Sequence, residues 1–205
     1  MSETGRAASS RRSLTSLARN IDSPILQGKA CHMGHLRRNT KQKRSDKNMT
    51  HILFVCHGNI CRSPMAEFIM KALIRKAGCE KAITVDSVAA TTEEIGNDMY
   101  PPAKRMLTKK GIPFSPRRAR LITASDYARA DYILCMDEEN LTDLARLTCG
   151  DPEKKVSLLL SWAGRRAEVA DPWYTGNFEE TYEDILEGCE ALLESIRRQG
   201  VAGSW

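Results

Sequence analysis

The stretch His51-Ile-Leu-Phe-Val55-Cys56-His-Gly-Asn-Ile-Cys-Arg62-Ser63-Pro64 decides how this chain is read. His51 to Val55 reads as a buried strand of a parallel sheet, because such strands meet apolar neighbours on both faces. Ser63-Pro64 then opens a helix, with Ser63 expected as N-cap and Pro64 at the first helical position. A strand, a short glycine-containing loop and a helix place residues 56–62 at the carboxyl end of a strand, where open α/β sheets bind their ligands.

Working outward, the pattern repeats. Met65, Phe68, Ile69, Ala72 and Leu73 form the apolar stripe of the first helix, and Gly78 ends it. Ile83 to Val88 reads as a second strand. Pro101-Pro102 opens a helix running to Lys110. Thr123 to Ala130 is a short helix, Tyr132 to Met136 a strand, and Glu138 to Thr148 a helix. Val156 to Leu160 is a last strand, and Asn177 to Gln199 a long amphipathic closing helix. Strands alternating with helices predict an α/β fold, a parallel sheet with helices on both faces.

Charge divides the chain. Residues 1–48 hold eleven Lys/Arg against three Asp/Glu, and the remainder twenty against twenty-three, so the positive balance belongs to the leader. Its Ser-, Arg- and Lys-rich composition, without apolar periodicity, predicts a basic, disordered leader. Ser10-Arg11-Arg12 has no apolar stretch after it, which argues against an export signal. Two readings stay open: an organelle transit segment, or residues upstream of a natural start at Met49. The expected catalytic domain is 49–205. Seven Cys without a C-x-x-C pair fit a reducing compartment, so a cytoplasmic location is expected. All four His lie within the first 57 residues, too few and too clustered for a zinc site or for a His base brought from elsewhere in the fold. Neither a metal nor another cofactor is expected. No apolar run is long enough to span a membrane. Nucleic-acid binding through the basic leader is disfavoured because it lacks interleaved aromatics.

The chemistry sits in Cys56 to Ser63, of the form C-x5-R-S. Cys31 to Arg37 also fits C-x5-R, but no strand precedes it and no capped helix follows. Backbone N–H groups of a strand–loop–helix turn, with the positive end of the helix, cradle an anion. Arg62 adds a planar fork able to hold two phosphate oxygens. The same field stabilises a thiolate, so Cys56 needs no His base. Gly58 and Asn59 suit the tight turn because both tolerate left-handed backbone angles. Ser63 is placed to assist Cys56 as it leaves. Proton donation to the leaving oxygen is expected from Asp171 in Ala170-Asp-Pro-Trp-Tyr174, where Trp173 and Tyr174 would flank an aromatic substrate. Asp151-Pro152 shows that such a dipeptide can also be an ordinary turn.

Val55-Cys-His-Gly-Asn-Ile-Cys-Arg-Ser-Pro-Met-Ala-Glu67 and Ala170-Asp-Pro-Trp-Tyr174 resemble the signature and acid loop of the low-molecular-weight protein tyrosine phosphatases, in the same order along the chain. The resemblance spans about residues 49–200. It implies a four-stranded parallel sheet of flavodoxin-like topology and a metal-free hydrolase acting on phosphotyrosine proteins or small aryl phosphates. Cys56 would form a phosphocysteine, Arg62 would bind phosphate, and Asp171 would act as acid and then as base. His57, Gly58, Asn59, Ile60, Cys61 and Ser63 would line the phosphate loop, and Cys61 would pair reversibly with Cys56 on oxidation.

Two departures stand out. Residues 91–97, Thr-Thr-Glu-Glu-Ile-Gly-Asn, offer no aromatic cleft wall, and Glu93 and Glu94 would repel acidic phosphopeptides. Trp173 stands where the family commonly has Tyr. Two alternatives share the loop. A thiol-dependent arsenate reductase would use Cys135 but lacks a third cysteine at Thr142. A protein-arginine phosphatase would carry Thr where this chain has Ile60.

Overall fold

The computed structural model describes residues 49–200. The predicted leader, and the last five residues of the expected domain, lie outside the described residues. Four parallel strands, β1 (Thr50–Cys56), β2 (Ile83–Ala89), β3 (Tyr132–Cys135) and β4 (Val156–Leu158), stand in the order β2-β1-β3-β4. Thr50 to Cys56 pair in register with Ile83 to Ala89 on one side, and Ile52 to Val55 with Tyr132 to Cys135 on the other. The strand order reverses beside β1. The carboxyl end of β1 is therefore the switch point at which such sheets open a crevice.

The central strand shows why an unbroken apolar run is needed. Ile52, Phe54 and Cys56 point into one core, packed with α1 (Arg62–Lys76), α2 (Pro101–Lys109) and α6 (Phe178–Arg198). Leu53 and Val55 point into a second core, with Tyr127 of α3 (Ala124–Arg129) and Leu144 of α4 (Glu138–Thr148). Residues 52 to 55 are fully buried. Burial of each such side chain contributes about 1.5–3 kcal/mol, so a polar substitution on either face opens one of the two cores.

Three local expectations need correction. The last strand stops at Leu158. Leu159 to Ala163 continue the apolar run as a 3₁₀ turn, which drops Leu159 and Leu160 into the first core. Periodicity cannot separate strand from buried helical turn over so short a run. Helix α1 begins at Arg62 rather than after Ser63. Its N-cap is Cys61, with no side-chain cap, and the Cys61 carbonyl accepts the first helical bond from Met65 N–H at 3.2 Å. Pro64 costs nothing there, since the N–H it lacks would have no partner inside the helix. Gly58 is not in the left-handed region. A Cβ there would come within 2.7 Å of Glu94 Cγ, so the glycine serves close approach instead.

Candidate active site

The loop from Cys56 to Arg62 folds over the N-terminus of α1 and is held from behind by a polar network. Asn59 alone in the loop has a positive φ, 58°. Asn tolerates the left-handed region better than most residues, but the conformation still needs support. Its side-chain amide supplies that. Asn59 Nδ2 donates to Ser63 Oγ at 2.8 Å and to Ser87 Oγ at 3.0 Å. Asn59 Oδ1 accepts from Arg117 Nη2 at 2.7 Å. Ser87 Oγ in turn donates to Glu67 Oε2 at 2.6 Å. Asn59, Ser63, Ser87 and Glu67 are all buried. Buried polar groups pay the cost of lost hydration unless paired, and here each has a partner.

This network also reaches Cys56. Ser63 Oγ lies 3.1 Å from Cys56 Sγ. Asn59 donates to that hydroxyl, and the Ser63 proton has two acceptors within reach, Cys56 Sγ at 3.1 Å and the Val88 carbonyl at 3.4 Å. In place of the expected helix cap, Ser63 lies inside the helix with its hydroxyl beside Cys56. Cys61, in the same loop, is a different sulfur: burial first, then the negative charge of Cys56, pushes its thiol up to about 12.

Arg62 sits between two carboxylates. Its Nη1 donates to Asp137 Oδ2 at 2.5 Å and, more weakly, to the Val169 carbonyl at 3.4 Å; its Nη2 donates to Asp171 Oδ2 at 2.7 Å. Both acids are pinned by helix starts. Asp137 Oδ1 caps α4 at Asn140 N–H (2.7 Å), and Asp171 Oδ1 caps the single turn α5 (Pro172–Thr175) at Trp173 N–H (2.9 Å). Burial of Arg62 pulls its pKa down, but Cys56, Asp171 and Asp137 outweigh this, and the guanidinium is held above its ordinary value. Three of the five N–H donors of an arginine are used by these bonds, leaving two for a bidentate phosphate grip.

The mouth is formed by side chains from separate elements. His57 Nε2 lies 2.9 Å from Glu93 Oε2, and the Glu94 stem packs on Gly58. On the other side Tyr100 N–H donates to the Ile60 carbonyl at 2.9 Å. The Tyr100 ring lies 5.3 Å from that of Trp173, which is half exposed; Tyr174 is almost fully exposed. The structure thus brings together Cys56, Arg62, Ser63, Asn59 and Asp171 as expected. It adds Asp137, Ser87, Glu67, Arg117 and Tyr100. Asp137 had a readable signal: it follows an apolar strand and precedes a helix, as a cap does. Cys135 does not join the site. It packs into the second core with Leu53 and Val55, on the face of the sheet opposite Cys56.

Comparison with known proteins agrees with this geometry. The low molecular weight phosphotyrosine protein phosphatase family matches residues 51–202. The low molecular weight protein-tyrosine-phosphatase YfkJ of Bacillus subtilis is 40% identical over 153 residues, covering 74% of this chain and 98% of the relative. The low molecular weight phosphotyrosine protein phosphatase of Homo sapiens is 40% identical over 151 residues, covering 70% and 93%. Among solved structures, YfkJ superposes with a TM-score of 0.71, covering 74% of this chain and 96% of that one. A drosophila arginine phosphatase superposes at 0.66, with 34% identity, covering 71% and 97%.

Proposed function

Since the chain belongs to the low molecular weight phosphotyrosine protein phosphatase family, we propose that residues 49–205 hydrolyse phosphotyrosine in proteins through Cys56, Arg62 and Asp171. Cys56 thiolate attacks phosphorus as the phenolic oxygen leaves and takes a proton from Asp171. Water then attacks the phosphocysteine, giving its proton to the Asp171 carboxylate, and the thiolate departs toward the Ser63 hydroxyl. His57 to Cys61 supply the loop around the phosphoryl oxygens, and Asp137 holds Arg62 in plane. Trp173, backed by Tyr100, forms a wall for the phenyl ring, and Tyr174 extends the rim. The observation that carries this reading is the placement of Cys56 Sγ beside the Ser63 hydroxyl, with Arg62, at the other end of the same loop, bridging Asp137 and Asp171.

No helix among the described residues is long and apolar enough to cross a membrane. Five of the six described cysteines are free and buried, Cys149 being disulfide-bonded, and the cytoplasm expected from the sequence is the compartment we assign. Cys135, walled off by the sheet, speaks against an arsenate-reducing disulfide relay. The deciding experiment is turnover of phosphotyrosine, phosphoserine and phosphoarginine peptides, together with arsenate reduction. Phosphotyrosine is expected to be fastest. Faster hydrolysis of phosphoarginine would replace this reading with that of the drosophila neighbour.

A further inference from the structure

The mouth of the site is electrically divided. Around His57 stand three carboxylates from two segments. Glu93 pairs with it directly, and Glu139 and Asp143, one turn apart on α4, bring ligand atoms within 4.8 Å of the imidazole and of each other. Glu94 extends this sector over Gly58. On the opposite side, beyond the Tyr100–Trp173 pair, lies a groove of about 710 Å³. Tyr100, Met106, Trp173 and Phe178 make it apolar, and Arg105 and Lys109 of α2 make it cationic. Lys109 is neutralised by Glu179 at 2.6 Å. Arg105 is exposed and has no ion-pair partner among the described residues. The groove shares its inner wall with the reaction site. Tyr100 is bonded to Ile60 of the phosphate loop, and Trp173 follows Asp171 by two residues.

We propose that this groove binds the residues on one flank of the phosphotyrosine, taking a bulky apolar side chain against Trp173 and Phe178 and an acidic residue at Arg105. The acidic sector at His57 receives the other flank and selects for cationic residues there. The substrate is thus a charge-asymmetric phosphopeptide. On this proposal Glu93 and Glu94 repel acidic residues on one flank only. The inference rests on the tyrosine phosphatase reading above. The volume suits one or two side chains. Arg105, without an ion-pair partner among the described residues, and the carboxylates of Glu93, Glu94 and Glu139 provide the complementarity, Asp143 being paired with Arg146 at 3.0 Å; such rim charges govern specificity more than affinity.

The test uses two phosphotyrosine peptides of identical composition, one with its acidic residues before the phosphotyrosine and its basic residues after, the other reversed. Phosphotyrosine amide, without flanks, is run beside them. The two peptides are expected to differ in kcat/KM by about fivefold or more, a size that one or two exposed charge pairs supply, and the ratio should shrink as salt screens it. In Arg105→Glu the ratio should collapse to within about twofold. Because it is a ratio, any common effect of the change on chemistry cancels. Equal rates in the parent enzyme, or a ratio that Arg105→Glu leaves intact, would overturn the groove while leaving the tyrosine reading in place. Failure to hydrolyse the amide or either peptide would bring down the tyrosine reading and the groove with it.

Discussion

Asp151 and Asp171 both stand in an Asp-Pro dipeptide, both precede a turn, and each uses both carboxylate oxygens, yet the fold gives them different work. Asp151 accepts from the Tyr127 hydroxyl at 2.7 Å through one oxygen and from Val156 N–H at 2.9 Å through the other. It locks α3 to the start of β4. Burial pushes its pKa up, but these bonds and Lys155 more than offset that, and the carboxyl is held below its ordinary value. Asp171 gives one oxygen to a similar local bond, at Trp173 N–H, and the other to Arg62 Nη2. The second partner is the guanidinium expected to grip phosphate. A dipeptide therefore predicts a turn, and only the partner of the remaining oxygen says whether the turn does chemistry.

The largest expected effect is on Asp171. Asp171→Asn should slow phosphotyrosine turnover by roughly 10²–10⁴, and slow an activated aryl phosphate less, since a more acidic phenol leaves without a proton. Equal, small losses on both substrates would make Asp171 another Asp151. Next comes Arg117, which supports the phosphate loop through Asn59 without facing the phosphate. Arg117→Ala removes the nearer donor to Asn59 Oδ1 and leaves only the longer bond from Arg120 N–H at 3.4 Å, a loss of pairing at a buried acceptor that costs about 1–3 kcal/mol at most. A loss of about tenfold in kcat/KM, with a lower melting temperature, is expected from activity assays and thermal unfolding of the same preparation. Loss of stability at full activity would show that the loop does not need this brace.

Asp151→Asn should have the smallest effect on kcat, within about twofold, but should lower stability by about 1–2 kcal/mol. The pH dependence follows from the depressed pKa. The stabilisation by Asp151 is complete above its unfolded value of about 4, and is lost as pH falls through the lower folded value. Denaturant unfolding should therefore separate parent and Asp151→Asn at neutral pH and bring them together in acid. A gap that persists unchanged below pH 3 would show that the two hydrogen bonds do not depend on the charge.

The contrast also shows what could be read without coordinates. The strand, loop and helix around Cys56 were legible because local signals agree there: an apolar run, a turn-forming loop and a proline compatible with a first helical turn. Asp171 was legible as a turn and as the candidate proton donor, the role that Asp171→Asn tests. Ser63 was misread as a cap because a serine before a helix looks the same whichever way its hydroxyl points. The network of Asn59, Ser87, Glu67 and Arg117 joins residues up to 58 positions apart, and no local pattern announces it. Leu159 and Leu160 were read as strand because burial alone makes a short segment apolar. Tyr100 was missed because its role comes from contact with Trp173, 73 positions away, in space rather than in sequence.

The central claim is that Cys56 takes the phosphoryl group and that Asp171 helps to remove it. Asp171→Asn, mixed with an activated aryl phosphate and quenched in acid within its first turnovers, tests both halves. Peptide mass mapping is expected to find one added phosphoryl group on the peptide containing Cys56, in greater amount than in the parent enzyme, because the base for the second step is missing. A phosphoryl group on any other residue, or a burst of phenol with none on Cys56, would contradict the account.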